Sequence, residues 1–559
     1  MSRALNSWRA AIAAAACLAY LGTLGARGWV RDDRWLIADN ALLQGGWPAA
    51  EAVLRTGYVE AARGTAAPIE EYRPLLSLSF LAQLATTGRR PAPFHAVNLL
   101  LHAAVCLLLF NALRLRLPLE AAGSAALLFA LLPIHAEAVS YITSRSELLA
   151  ALAWLGCWEF LGARREKPRL AAGLSCFAAG LLSKESAAMI PAFLALSDWV
   201  FEGLLPWSRR RLAVYAGLGL VAAAYLAARA AVLPQASAGV PFFAGRLDAA
   251  LLWPVFALRH YLWPSLSGLG LCADFSRPGS HLRVPVTAAG LLALAALLAA
   301  AAACALGLAR RRPWAFWAAA PSLFLLPTCP LLVPLDTLGA ERFLYIPTVS
   351  LAVALGLAFH RARRLRPAAA WAGLAALAAW YGFSLVGRNA VWSSERAYYT
   401  AACGCNPGSA RARSGLGVAA IEAGQTERGR DLLLQAQRLD PSLPQPPYNL
   451  ALLAFSGGDP AAAEPLARRA LALDAGLSDG WVLLSLIERA RGKPRQAEGS
   501  LERALAIEPW NAAAQFDLGR TLLLEGRPRQ AKPHLRRFLE LAPDDPDAPR
   551  VAALLERLR

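Results

Sequence analysis

Charge is scarce in this sequence. Asp, Glu, Lys and Arg supply 17% of its 559 residues, where an average soluble protein carries about a quarter, and 57% of the residues are apolar. With a mean hydropathy of +0.38, much of the chain belongs in lipid, which excludes a wholly soluble protein. Negative charge is the scarcer sign: 39 Asp and Glu stand against 57 Lys and Arg, a net charge of +18. The excess arginine falls in short bursts between apolar stretches. No aromatic-interleaved patch or single basic helix face collects it, so it reads as a membrane-topology signal and no nucleic-acid partner is expected. The nine cysteines lack any CxxC pair or metal-ligand spacing. Six of them (Cys17, Cys106, Cys157, Cys176, Cys304 and Cys329) lie in apolar runs as small buried hydrophobes. Cys403 and Cys405, with Cys272, are the three that could meet an oxidising compartment, and unpaired thiols are favoured there over a disulfide.

The C-terminal part lacks any run long enough to cross about 30 Å of hydrocarbon. What it has instead is a period. Pro407, Pro441, Pro509 and Pro543 fall on a 34-residue grid, with Ala475 at the missing node. Small residues keep the same spacing at Gly417, Ala451, Ser485 and Gly519, at Gly429, Ala463, Ala497 and Ala531, and at Ala436, Ala470 and Ala504, with Phe538 as the large exception. Such a grid is the signature of tetratricopeptide repeats: small side chains let paired helices approach, and the proline ends the second helix because it has no N–H to donate. Stacked units form a solenoid with a concave groove.

The expected architecture is all-α: a polytopic transmembrane domain over 1–387, a linker over 388–402 and about four repeats over 403–559. Membrane helices are expected near 10–27, 95–113, 118–134, 147–163, 169–183, 187–205, 212–233, 284–309, 313–333, 342–360 and 367–387. The basic clusters at Arg114/Arg116, Arg164–Arg169, Arg209–Arg211, Arg310–Arg312 and Arg361–Arg366 are then all cytoplasmic, as the positive-inside rule asks. This holds if the apolar segment 248–266, broken by Pro254 and Pro264 and carrying Arg259 and His260, does not cross. Eleven spans with the N-terminus inside put the repeats outside; a twelfth span would put them in the cytosol.

With eleven spans, Asp32 and Asp33, Tyr72–Pro74, His135–Arg145, Lys184 and Glu185, and Asp336–Arg342 emerge at one outer face. Polar groups there are costly unless paired or used. Each alone has a plainer reading: an arginine at a helix end snorkels, and a Lys184/Glu185 doublet is loop charge. His95, Asn98 and His102 share one helical face over about 10 Å, as a polar stripe between packed helices or as part of a ligand site, and they complete no metal motif. It is the convergence that marks a site.

These residues also carry a resemblance. Asp32-Asp33 with Ile37 and Asn40, Tyr72-Arg73-Pro74-Leu75, Phe94-His95 with Asn98 and His102, Pro133-Ile134-His135-Ala136-Glu137-Ala138-Val139, Arg145-Ser146-Glu147, Ser183-Lys184-Glu185 and Glu341-Arg342-Phe343-Leu344-Tyr345-Ile346-Pro347 occur in that order. Together with the repeats, the pattern resembles the transmembrane and tetratricopeptide-repeat-containing (TMTC) proteins, with a composition similar to that of a bacterial relative. The family often has Phe-Ala-Val-His-Pro where this chain has Phe129-Ala130-Leu131-Leu132-Pro133, and its repeat array is usually longer.

The resemblance implies a GT-C type glycosyltransferase, similar to protein O-mannosyltransferases, that moves a sugar (mannose or another hexose) from a polyprenyl or dolichyl phosphate to Ser/Thr hydroxyls of exported proteins. Asp32 or Asp33 is then the base that takes the hydroxyl proton. Adjacent carboxylates repel, so one titrates high or binds a divalent cation such as Mg or Mn. Arg145, Lys184, Arg342 and, more weakly, Arg73 are the ligands expected for the donor phosphate. Glu341 orients or pairs with Arg342, while His135, Glu137, His95, His102 and Glu185 support the site. The groove of the repeats would hold the acceptor polypeptide, and the chain would sit in a bacterial inner membrane with its active-site loops and repeats on the periplasmic side. Three other readings stay open: a transferase acting on a lipid or glycan, a catalytically inert membrane scaffold whose repeats recruit proteins, and a transporter. The last is disfavoured by the absence of paired acidic and basic residues along a mid-helix path.

Overall fold

The computed structural model describes residues 2–26, 28–58, 71–164, 167–233, 253–275, 287–329, 339–542 and 545–558. Among these there is helix of several kinds and no strand. The chain divides into two compact units, one of Met1–Arg34, Glu71–Arg277 and Leu282–Asn406, the other of Trp35–Glu70, Pro278–His281 and Pro407–Arg559.

Among the described residues of the first unit, five helices are long and apolar enough to cross a membrane: Arg3–Gly25, Pro91–Leu113, Leu212–Val232, Ala288–Ala309 and Pro367–Ser393, of 21 to 27 residues. At 1.5 Å per residue each exceeds the hydrocarbon thickness, and the chain is an integral membrane protein. A further apolar pair, Leu119–Leu131 and Pro133–Ser140, is turned by 51° at its break, the shape of a broken span or of a re-entrant loop. The bend follows from Pro133, which cannot donate a helical hydrogen bond and holds Leu132 out of the helical region at φ −57°, ψ 119°. Other expected spans are shorter or broken. Arg145–Leu161 and Val349–Leu365 have 17 residues each and Leu170–Leu181 has 12. Residues 187–205 divide into a 3-10 turn, the helix Ile190–Ser197 and the π turn Asp198–Glu202. The described part of 248–266 likewise contains the π turn Ala257–Leu262 and the single turn Trp263–Ser267. The stretch 388–402, expected as a linker, is helical: it holds the end of Pro367–Asn389, a 3-10 turn at Ala390–Ser393 and most of Glu395–Cys405.

Small residues set the closest helix approaches. A Cβ on Gly356 would lie 2.4 Å from the Ala121 carbonyl oxygen, and one on Gly173 would lie 2.2 Å from Leu161 Cγ, which is the way helices pack when lipid offers no hydrophobic drive.

The second unit contains four helix pairs: Ala410–Glu422 with Thr426–Leu439, Gln445–Ser456 with Pro460–Leu473, Ser478–Ala490 with Pro494–Ile507, and Ala512–Leu524 with Pro528–Leu541. A final helix runs over Ala548–Arg557. Pro441 and Pro509 stand just beyond the second helices of their pairs; Pro543 lies outside the described residues. The turn inside each pair passes through a left-handed glycine, Gly424, Gly458, Gly492 and Gly526, with φ between 72° and 82°. That conformation is free of penalty only without a Cβ. The small-residue grid is the contact between paired helices: Ala436, Ala451, Ala463, Ala470, Ala497, Ala504 and Ala531 are fully buried. A Cβ at Gly429 would sit 2.7 Å from the Gly417 carbonyl oxygen and 2.4 Å from Ile421. Gly429→Ala should therefore destabilise the first repeat, because overpacking of about 1–3 kcal/mol outweighs the roughly 1 kcal/mol gained in helix propensity. Faster amide hydrogen exchange over 410–439 in the variant checks this; unchanged or slower exchange would contradict it.

Candidate active site

The short turns that follow the proline bend bring the sequence motifs together. After Pro133–His135, the chain makes the helix Ala136–Ser140, passes through extended Tyr141, makes the 3-10 turn Ile142–Ser144 and enters the helix Arg145–Leu161. The first amides of that helical stretch have no partner of their own. Asp33 supplies one from a distant segment: its carboxylate accepts from Thr143 N–H at 2.8 Å and Ile142 N–H at 3.3 Å. The adjacent Asp32 instead meets the Tyr141 side chain, whose hydroxyl donates to Asp32 Oδ2 at 2.7 Å and accepts from the Asp32 N–H at 3.2 Å. The two carboxylates thus point to different partners and form no shared cation cradle. Among the described residues, no group of three or more His, Cys, Asp or Glu is placed to hold a metal ion.

Burial pushes the Asp33 carboxyl up to about 8, against the hydrogen bonds from Thr143 and Ile142 and with the neighbouring Asp32 adding to the rise. Through these two contacts Asp33 caps the turn that leads into the helix Arg145–Leu161.

The expected cations separate into two groups. Arg145 is 2% exposed and is committed to its own fold: Nε donates to Asn98 Oδ1 at 2.9 Å, Nη1 to Ser79 Oγ at 3.2 Å and its carbonyl at 3.4 Å, Nη2 to Gln83 Oε1 at 2.7 Å and the Phe94 carbonyl at 3.4 Å. Its guanidinium lies 4.6 Å from the Phe80 ring centroid. Asn98 in turn donates to the carbonyls of Val139 and Ile142, both at 3.3 Å, so Arg145 fixes the loop and has nothing left for a phosphate. Arg73 is gripped by two carboxylates, Glu71 at 2.7 Å and Glu185 at 2.7 Å. The Glu71 carboxyl is held above its ordinary range by burial, against the pull of Arg73.

Lys184 and Arg342 are the second group. Lys184 pairs with Glu147 and Arg342 with Glu137, and both cations face the Phe343 ring, with Nζ 5.3 Å and the guanidinium carbon 5.2 Å from its centroid. The Arg342 side chain is 28% exposed, and one Nη carries its ion pair. The expected Glu341–Arg342 pair is not formed. Glu341 binds Arg388 at 2.9 Å and accepts the Cys272 N–H at 2.6 Å, because successive residues of the 3-10 turn Glu341–Leu344 are rotated by about 120° and leave in different directions. Burial raises the Glu341 carboxyl to about 7 although Arg388 pulls it down.

The histidines differ as well. His102 Nδ1 meets the Tyr345 hydroxyl at 2.7 Å and Nε2 the Ala130 carbonyl at 3.3 Å, while His135 Nε2 meets Thr348 Oγ1 at 2.7 Å. With Phe129 and Tyr345 they form one ring cluster, a packing role. His95 is buried with neither ring nitrogen hydrogen-bonded among the described residues. Sequence reasoning did not single out Tyr141, Glu71 or Arg31. Arg31 has a left-handed backbone, with φ 53°, which carries no sequence signal. Asp336 lies outside the described residues. Cys272 is disulfide-bonded to Cys405, which joins the segment that follows the turn Trp263–Ser267 to the helix Glu395–Cys405.

An acid whose folded-state value is raised stabilises the fold most below its unfolded value. Asp33 therefore contributes stability below about pH 4 that is lost as pH rises through about 8. In Asp33→Asn the unfolding temperature of the detergent-solubilised protein should fall less between pH 5 and 8 than in the wild type. An identical slope would contradict this assignment.

Comparison with known proteins places the chain. Residues 488–558 match the Tetratricopeptide repeat family. The chain is 37% identical over 172 residues to mouse (Mus musculus) Protein O-mannosyl-transferase TMTC1, covering 30% of this chain and 18% of that protein. It is 35% identical over 275 residues to Drosophila melanogaster Protein O-mannosyl-transferase Tmtc2, 44% of this chain and 28% of the relative. With human (Homo sapiens) Protein O-mannosyl-transferase TMTC4 it shares 28% identity over 350 residues, 52% and 47%. The matches thus span less than half the length of each of these relatives. Among solved structures, the crystal structure of MamA superposes with a TM-score of 0.24 at 22% identity over 27% of this chain and 88% of that one, too weak a likeness to bear on function. The chain is a membrane protein with C-terminal tetratricopeptide repeats whose curated relatives are protein O-mannosyl-transferases of the TMTC family.

Proposed function

We propose that this chain is a TMTC-type glycosyltransferase that moves a hexose, mannose in the first instance, from a polyprenyl or dolichyl phosphate to Ser/Thr hydroxyls of exported proteins. The observation that carries the reading is the placement of Asp32, held by Tyr141, in the same loop cluster as Arg342 and Lys184 on one aromatic ring. Asp32 acts as the base. The acceptor oxygen bonds to the anomeric carbon, its proton passes to Asp32, and the bond from that carbon to the phosphate oxygen breaks with its electron pair leaving on the lipid phosphate. Arg342, with donors beyond its single ion pair, and Lys184 receive that charge. Arg145, Arg73, Glu71 and Glu185 are positioning residues, and His95, buried without a hydrogen bond among the described residues, is the ring most in need of a polar ligand group.

The proposed orientation keeps the N-terminus in the cytoplasm and the Asp32 loop outside, in a bacterial inner membrane. A Cys272–Cys405 bond supports this reading, since disulfides persist in oxidising compartments. The repeats, on the same side, hold an extended acceptor chain in their groove.

The test is sugar transfer by the purified full-length protein in detergent, with several polyprenyl-phosphate sugars and Ser/Thr-rich peptides. Asp32→Asn should lower the rate by about 100-fold or more, with Asp33→Asn keeping more of the activity. Retention of wild-type turnover by Asp32→Asn would overturn the base assignment.

A further inference from the structure

Arg31 precedes the proposed base and takes part in no side-chain hydrogen bond among the described residues. Its backbone sits at φ 53°, a left-handed conformation that costs a residue with a Cβ about 1–2 kcal/mol. Glycine or asparagine would avoid that cost, and strain of this kind gathers at functional sites. The turn is nevertheless well made, with Asp33 N–H bonded to the Val30 carbonyl at 3.2 Å and Arg34 N–H to the Arg31 carbonyl at 3.3 Å.

The side chain rests on a prepared platform. Its guanidinium carbon lies 5.1 Å from the Tyr398 ring centroid. Tyr398 is 2% exposed, packs on Trp392 at 5.3 Å and donates its hydroxyl to the Ala273 carbonyl at 3.0 Å. The Cys272–Cys405 bond ties together the two segments that hold this ring. A stacked guanidinium keeps its N–H fork open at the edge. Asp32, Tyr141, Tyr398 and Tyr399 act on its charge, and the charge of Arg31 is felt at Arg342. Arg145 and Arg73, by contrast, have spent their donors on carbonyls, amides and carboxylates.

We propose that Arg31 is an anion ligand of this site that, together with Arg342, grips the phosphate of a lipid phosphate beside Asp32. The assignment rests on the glycosyltransferase reading and adds to it a residue that holds the leaving group next to the base. The ligand chemistry is a phosphate monoester; a lipid carrier and free phosphate are the two sources to separate.

The experiment measures binding of polyprenyl phosphate, and of inorganic phosphate as competitor, to the full-length protein in detergent micelles. Wild type is compared with Arg31→Lys, which keeps charge without the fork, and Arg31→Asn, which suits the left-handed backbone. The expected result is a Kd for polyprenyl phosphate raised about tenfold or more in Arg31→Asn, about 1.4 kcal/mol, and by less in Arg31→Lys. Under non-reducing conditions the Cys272–Cys405 bond should persist in both, and the unfolding temperature of Arg31→Asn should hold. A wild-type Kd in Arg31→Asn overturns the proposal while leaving the glycosyltransferase reading in place. Loss of inorganic-phosphate competition without loss of lipid binding also overturns it, making Arg31 a site for free anion only. If the wild type binds no polyprenyl phosphate at all, the reading of the whole site falls and this proposal with it.

Discussion

A charge taken out of water must be paired, and most of the first unit's loop structure follows from that requirement. An ionised side chain left alone in a low-dielectric interior costs several kcal/mol, and removing one partner of a buried pair costs about 3–5 kcal/mol. Here Glu147 holds Lys184, Glu137 holds Arg342, Glu341 holds Arg388, and Glu71 with Glu185 holds Arg73. All but the Glu71–Arg73 contact join segments well apart in sequence, so the turns between apolar helices are cross-linked electrostatically. The same requirement sorts the cations by availability. A guanidinium whose donors are all engaged, as in Arg145, can position but not bind. In the proposed reading it is Lys184, Arg342 and Arg31 that meet the ligand.

The neighbouring aspartates show the same logic on the acidic side. Two adjacent carboxylates cannot both face one site without mutual repulsion. The fold turns Asp33 onto the orphan amides of Ile142 and Thr143 and leaves Asp32 to Tyr141. One residue builds the loop and the other is available to chemistry. Because Tyr141 belongs to the segment that Asp33 caps, the proposed base and its orienting hydroxyl are placed by the neighbour of the base.

Much of this was legible in the sequence, for reasons that differ by region. The repeats declare themselves because each unit meets the same packing problem every 34 residues: the buried Ala451 and Ala497 and the left-handed Gly458 and Gly492 are local solutions repeated. The long apolar helices are equally plain, since crossing lipid is a demand on composition. Shorter segments were not, because Pro133 and the π turns at Asp198–Glu202 and Ala257–Leu262 break helices at points hydropathy does not register. In the site, motifs announced which polar residues converge but not who pairs with whom. Glu341 turns to Arg388, 47 residues away, and Arg342 to Glu137, 205 away, choices made by the direction of a single 3-10 turn. Arg31 looked like any arginine beyond a membrane helix; only its backbone and the Tyr398 ring beneath it set it apart.

The central claim is that sugar leaves a lipid phosphate and arrives on a hydroxyl in one event. Its most direct measurement is a mass balance on the wild-type protein. Glycosylated peptide and released polyprenyl phosphate are quantified in the same reaction with a polyprenyl-phosphate hexose as donor. The account predicts one lipid phosphate formed for each hexose gained by peptide, with none of either when the peptide hydroxyls are replaced. Hexose on peptide with no matching lipid phosphate, or donor left untouched beside a competent acceptor, would contradict it.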